Sequence, residues 1–358
     1  MSRARAGLAA VLLLLCACQS STGGPGEDGD ASGSAPPAST GTPEPIPGLS
    51  AGGPMPGAQS CVAPGRIVSA QAVTRHRDQW VEDSPPDDAT FDLTGTTSTA
   101  YPATESVFAV GTDRPAARTC VIGGVVQGQA DDEKTWDYYH DKYNAACLKI
   151  IATGWIQVHG LRCDNVEDGI KPQESSVNAN DTQFLVTGTH LTRIRDDCME
   201  NDYTVGGVLY DNLWEQCNTG ISERPSRDRS WRTPQSETLV LDHMLIGLYQ
   251  TPHREDGDVV MGENALFKWS ESGNRVVIKC STFMVDAVSL NGTDAMAFPP
   301  GTVVDDSGCP DAPSTLVWLG GGAEYPAWAA GIRVVTDPAV WTAAVAAWKA
   351  AHGEVGAR

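Results

Sequence analysis

The sequence predicts an all-β fold: a single-stranded right-handed parallel β-helix closed by a C-terminal helix. Three observations carry this expectation. First, short apolar alternations recur from Trp155 onward, each followed by a polar turn: WIQVHGLRCDNVEDGIKP, then FLVTGTHLTRIRDDCMEND from Phe184, then GVLYDNLWEQCNTGISERP from Gly207. LVLDHMLIGLY from Leu239 and VVIKCSTFMVD from Val276 continue the pattern less regularly. Self-similarity with a period of roughly 20–30 residues marks a solenoid. Second, the segments are rich in Val, Ile, Leu and Thr at period two, and no helix-length pattern separates them, which excludes a βαβ sheet. Third, 37 glycines with only 6 Phe and 8 Tyr suit a turn-rich β architecture.

The elements follow in order. Residues 1–18 read as a secretory signal: two arginines, an apolar run through Leu15, then small residues at a cut site. The run is shorter than the ~20 residues that span a bilayer. Residues 19–60 hold 10 Gly and 8 Pro, with only Ile46, Leu49 and Met55 as larger aliphatics. Such a segment buries too little apolar surface to order itself and is expected to be a disordered tether. Residues 61–104 are expected to wrap the first coils, and residues 105–336 to form the β-helix. Within it, ADDEKTWDYYHDKYNAA from Ala130 is a polar, aromatic insertion. In residues 337–358, Asp337 and Pro338 make an N-cap and first helical position. Trp341, Val345 and Trp348 share one helical face, and Gly353 ends the helix.

Composition bounds the partners. The net charge is −20. The first 60 residues contribute two arginines against four carboxylates, so residues 61–358 carry −18. That excludes nucleic acid, whose phosphates demand a basic face. Once Cys16 and Cys18 are set aside with the N-terminus, eight cysteines remain. An even number in an exported protein predicts disulfides, and eight thiols allow 105 pairings among which sequence cannot choose. A monomer is expected.

Charged residues gather at what reads as one turn of three successive coils: Glu167 and Asp168, then Arg195, Asp196 and Asp197, then Glu223 and Arg224. Aligning Asp168 with Asp196 and Asn218 gives steps of 28 and 22, while aligning it with Asp197 gives 29 and 22. Coils stack about 4.8 Å apart, so aligned carboxylates repel unless a cation or arginine sits among them. Solvent-facing turns of any β-helix favour Asp, Asn and Gly for their turn chemistry, which offers a purely structural account. Against it, five of the nine residues in IRDDCMEND are charged, a density that a strand interior is not expected to hold. Lys171, Glu200 and Asp202 complete the candidate groove. His140 and Asp141, among Trp136, Tyr138, Tyr139 and Tyr143, make either a sugar-stacking platform or a packed cap. His159 and His190 fall out of register, against a metal pair.

Three resemblances follow from these residues. Leu15-Cys16-Ala17-Cys18 resembles the bacterial lipobox, which implies that Cys18 is lipidated and anchors the protein extracytoplasmically to the cell envelope. NVEDGIK, RDDCM and CNTGIS occur in the order of the polygalacturonase motifs, and the whole is similar to pectate-lyase-like β-helix proteins. Asn165 and Asp168 resemble the ends of the family's Asn-Thr-Asp motif, with one extra residue between them, and Asp196-Asp197 its aspartate pair. Asn218-Thr219-Gly220 stands where the family has Gly-His-Gly, and Val277-Ile278-Lys279 lacks the arginine of its Arg-Ile-Lys. Val317-Trp318-Leu319-Gly320 resembles the end of bacterial exported β-helix repeat proteins, a set that implies a fold and no function.

Together these imply a membrane-tethered protein that recognises a polysaccharide, with cleavage as the catalytic option. As a hydrolase it would use Asp196 or Asp197 as acid, with Asp168 alongside. Inversion needs carboxylates about 6.5–9.5 Å apart. As a lyase it would place Ca²⁺ on the aspartates, with Arg195 or Arg224 as base. Lys171, Glu200, Asp202, Glu223 and Arg224 would hold the sugar. The contrasting expectation is a non-catalytic surface scaffold whose charged ladder keeps the coils in register.

Overall fold

The computed structural model describes residues 66–353, apart from 70–73, 76–78, 102–105, 175–181, 225–236, 256, 263, 271–272, 290–291, 293–295 and 321–330. The signal and tether readings, with Cys18 and Cys61, lie outside these residues. The described chain forms the parallel β-helix that the repeats predict. Twenty-one strands join one continuous network, and only the pair Thr74–Arg75 with Gln79–Glu82 runs antiparallel within it.

The coils stack through three faces. On the first, Trp155–His159 lies between Thr119–Ile122 and Gln183–Thr187, and the stack continues through Gly206–Tyr210, Thr238–Asp242 and Arg275–Lys279. On the second, Arg162–Asp164 pairs with the start of His190–Glu200, followed by Leu213–Glu223, Leu245–Leu248, Thr282–Val285 and Thr315–Trp318. On the third, Trp80, Phe108, Leu148, Ile170, Met199, Ile221 and Phe267 stand in one register column, all buried. Such columns explain the period-two apolar pattern: each inward side chain packs on its equivalents one coil away. Parallel stacking already includes Ala89–Ser98, which pairs with Ala116–Gln127.

Disulfides tie the coils. Cys147–Cys163, Cys198–Cys217 and Cys280–Cys309 are bonded, and Cys120 is disulfide-bonded as well. Cys198 and Cys217 thus bond across adjacent coils. These bonds imply an oxidising, extracytoplasmic environment.

The C-terminal helix spans Pro338–His352, with the Asp337 side chain accepting from the Ala339 N–H and Gly353 at its end. Trp348 is buried, its indole N–H donating to the Asp211 carbonyl at 3.2 Å. The Trp341 ring lies so close to Gly247 that a Cβ there would meet it at 2.6 Å. Glycine at 247 is what lets the helix seat on the solenoid. Among the described residues no helix is long and apolar enough to cross a membrane.

Two additions break the coil pattern. The insertion after Ala130 contains a short helix, Trp136–Lys142, capped by Thr135. An antiparallel hairpin, Thr251–Glu255 with Asp258–Gly262, projects from a later coil. Helix and hairpin meet, the Arg254 N–H donating to Asp137 at 2.8 Å.

Candidate functional site

The two additions cover the charged residues. Asp168, Asp196, Asp197 and Arg195 are each at most 6% exposed. IRDDCME was expected at an exposed turn. It lies instead inside the strand His190–Glu200, where the strand is covered from outside and Lys171, Lys268 and Asp132 lie against its charges.

Register decides which carboxylates stack. Met199 pairs with Ile170, which puts Asp197 one coil from Asp168, and Asp197 in turn pairs with Thr219. The step is therefore 29 residues, and the alignment of Asp168 with Asp196 is corrected. Asp196 lies beside Glu167 instead, its N–H donating to the Glu167 carbonyl at 2.8 Å. Between Ile194 and Asp197 the strand carries one residue more than its partner Leu213–Glu223. Such a bulge re-aims side chains. It accounts for how consecutive aspartates, which would point to opposite sides of a regular strand, both reach one lysine.

That lysine is Lys268. Its Nζ contacts Asp196 and lies 2.8 Å from Asp197 Oδ1. A second lysine, Lys171, lies 2.8 Å from Asp168, 2.5 Å from Glu200 and 2.9 Å from the Asn144 amide oxygen. Asp168 also accepts from the Asp197 backbone N–H at 3.1 Å. Arg195 pairs with Asp132 of the insertion, donates to Asn165 Oδ1 at 3.0 Å and lies 5.1 Å from the centre of the Tyr139 ring. Glu167 accepts from the Ala145 N–H at 3.1 Å. The cluster therefore holds five carboxylates against two lysines, with the arginine turned towards the insertion.

Electrostatics separates these acids. Burial works against ionising Asp196, but the Lys268 ammonium outweighs it and holds this carboxyl below the usual range. Burial, and then the Asp196 charge, push Asp197 well up despite the same lysine. Burial raises Asp168 to about 7 against the pull of Lys171. Glu167 rises to about 9 through burial and then through Asp168 and Asp196. At neutral pH Asp196 is thus ionised and Glu167 holds its proton, while Asp197 keeps its proton more tightly than an ordinary carboxyl.

The remaining residues separate from this cluster. Glu223 is fully buried and accepts from Asn201 Nδ2 at 2.6 Å and the Asn274 N–H at 2.7 Å, a turn-holding role. Asp202 accepts from Ser222 Oγ and the Arg224 N–H, at 3.1 and 2.8 Å. In the insertion, the Trp136 ring is stacked between His140 at 4.3 Å and His253 of the hairpin at 5.1 Å. His159 and His190 stand on different faces, His190 paired with Glu215 at 2.8 Å.

Two expectations about chemistry change. Asp168, Asp197 and Glu200 bring carboxylate oxygens within 4.8 Å of one another. That is short of the about 6.5–9.5 Å of an inverting pair and nearer the about 5–5.5 Å of a retaining one. Three such carboxylates match the oxygen ligands that Ca²⁺ takes. However, Lys171 and Lys268 already place ammonium groups on these acids, so calcium would have to displace them. The residues do not fit a dedicated calcium site.

Lys268 was not singled out from the sequence. It pairs in register with Ser222, 46 residues earlier, after steps of 29 and 22. The hairpin and the residues before it lengthen that coil and hide the repeat. The FKW alternation after Asn264 was the available signal. Compared with family models, curated proteins and solved structures, the chain matches none.

Proposed function

We propose that this is a membrane-tethered, extracytoplasmic β-helix protein that recognises a polysaccharide and hydrolyses it at the covered carboxylate cluster. The observation that carries the reading is the pair Asp196–Asp197, neighbours on one lysine whose acidities are driven in opposite directions. Carboxyls pushed apart in this way mark acid and base assignments. Asp197, whose hold on its proton is raised, gives that proton to the leaving glycosidic oxygen as the bond breaks, while the ionised Asp196 bonds to the anomeric carbon. Water, passing its proton back to Asp197, then releases the sugar from Asp196. Buried ionic clusters contribute little to stability compared with apolar packing, so a solenoid needing only a fold has no reason to keep one. The helix and hairpin act as a lid that must swing aside for a sugar chain. Similarity to the polygalacturonase motifs supports this chemistry at Asp168, Asp196 and Asp197.

A reducing-sugar and glycan-array screen on the full chain tests it. Asp196→Asn and Asp197→Asn, each nearly isosteric, should abolish turnover while the melting temperature moves by only a few degrees. The second reading, a scaffold, is favoured by the saturation of both lysines. On that reading the two variants are neutral or stabilising, and no glycan responds to them.

Attachment is tested separately. On the lipobox reading, Cys18→Ser should release the protein from membranes or block its processing. A variant that partitions with membranes like the wild type overturns the anchor.

A further inference from the structure

We infer that the hairpin Thr251–Glu255 with Asp258–Gly262 is an autoinhibitory strap, which in its closed position clamps the Trp136 indole over Asp196 and shuts the site. The inference rests on the polysaccharide reading above and names how that site is regulated. Asp196 is ionised yet only 6% exposed. After Lys268, the Trp136 indole and the His140 imidazole help to hold its charge, so this ring pair stands against the carboxylate. A sugar whose anomeric carbon is to bond with Asp196 must come within about 3–3.5 Å of it, and the indole must first leave. Two imidazoles keep it there. His140 lies 4.3 Å from the Trp136 ring at 24°, and His253 lies 5.1 Å from it at 22°. One belongs to the inserted helix and the other to the hairpin, so the indole is held from both parts of the lid.

Those two parts are fastened very differently. The insertion is tied to the coils beneath it along its whole length. Asn165 Nδ2 donates to the Ala130 carbonyl at 2.9 Å, Arg195 pairs with Asp132, Lys171 donates to Asn144 at 2.9 Å, and the Ala145 N–H donates to Glu167 at 3.1 Å. Tyr139, in the helix itself, is buried against Tyr101, with ring centres 6.0 Å apart. The helix is a fixed wall.

The hairpin is anchored at its root. Thr251 is buried, and its hydroxyl donates to Asn218 Oδ1 at 2.9 Å and stands 3.3 Å from His253 Nε2. Beyond that root it touches the insertion through the His253 stack and through the Arg254 N–H, which donates to Asp137 at 2.8 Å. Its second strand pairs only with its first, and Val259 and Met261 on that strand are 60% and 50% exposed. A two-stranded ribbon with so little buried against it is marginally stable by itself and opens at small cost. The hairpin is therefore the part that moves. When His253 lifts away, the Trp136 ring loses one of its two clamps and can turn off Asp196.

The test labels the carboxylates of the full chain with a water-soluble carbodiimide and glycinamide, read residue by residue by peptide mass spectrometry. At Asp196 the glycinamide adduct and an amide to Lys268 both count, since the carbodiimide must reach the carboxylate to form either. Asp311 is exposed and sets the rate of an open acid, while Glu223, fully buried and held by Asn201 and Asn274, reports any general loosening. In the wild type Asp196 should label far more slowly than Asp311. His253→Ala should raise its labelling about tenfold, the change that loss of one aromatic pair converts to. Arg254→Pro, which removes the N–H that Asp137 accepts, should raise it about fivefold. Glu223 should stay unlabelled in both. Wild-type labelling of Asp196 at the Asp311 rate, or no rise in either variant, overturns the strap. Should His253→Ala expose Glu223 as well, Arg254→Pro, at an exposed position, decides. Glycan turnover separates this inference from the reading beneath it. With both correct, the two variants cleave the responding glycan faster than the wild type. Faster labelling with no glycan responding overturns the polysaccharide reading and leaves the strap standing.

Discussion

Lys268→Met is expected to destabilise the fold by about 3–5 kcal/mol, the usual cost of removing one partner from a buried ion pair. The cost arises because burial opposes ionising Asp196 and only Lys268 offsets it: without the lysine the carboxyl must stay charged and unpaired or take up a proton, while Asp197 stays crowded beside it. Reversible denaturant unfolding at pH 7 measures the difference. The double variant Lys268→Met with Asp196→Asn removes both charges and should recover most of the loss. A loss below about 1 kcal/mol for the single variant, the range of exposed pairs, would show that the cluster is open to water.

A second large effect is expected in the pH dependence. Glu167 has an ordinary value of 4.5 and is pushed to about 9 in the fold. Between these values the unfolded chain releases the proton that the folded chain keeps. Stability from this group is therefore fully present below about pH 4.5 and is lost as pH rises towards 9. Asp168, raised from 3.8 to about 7, adds to the same trend over its own window. Glu167→Gln keeps an acceptor for the Ala145 N–H and cannot ionise. Its stability relative to the wild type should rise between pH 5 and pH 9, by on the order of a few kcal/mol. Melts of both proteins at several pH values give the comparison. A difference that stays flat across that range would place Glu167 in contact with solvent.

The coils were legible because their signal is local. Apolar residues at period two, turns between them and a capped helix from Pro338 to His352 are each written within a few neighbouring residues. The site was legible in part. Asp168, Asp196, Asp197, Lys171 and Glu200 do come together, since each belongs to a strand whose neighbours repeat. What closes over them was not legible. Trp136 meets His253 across 117 residues of sequence, and no spacing rule links an inserted helix to a later hairpin. The same lack of long-range signal made a covered strand read as an exposed turn. It also hid Lys268, because the lengthened coil before it erased the period by which its position could be found. The one-residue ambiguity between Asp196 and Asp197 was physical: a bulge in the strand lets both serve one lysine, so neither alignment alone describes the site.

The disulfides have a consequence for how the protein matures. Cys147 adjoins Ala146, the register partner of Asp168, and is bonded to Cys163, next to Asp164. Cys198 follows Asp197 directly and is bonded to Cys217, next to Asn218. Both bonds thus fasten the backbone on which the carboxylates sit, while Cys280–Cys309 fastens coils further along. A stack of coils can fray from its ends because each coil contacts only its neighbours. Here fraying from either end meets a covalent stitch before it reaches the charged strands. A reduced chain lacks these stitches, so the like charges of the cluster are held only by weaker forces until oxidation. An oxidising compartment is thus what supplies the stitches on either side of the acids.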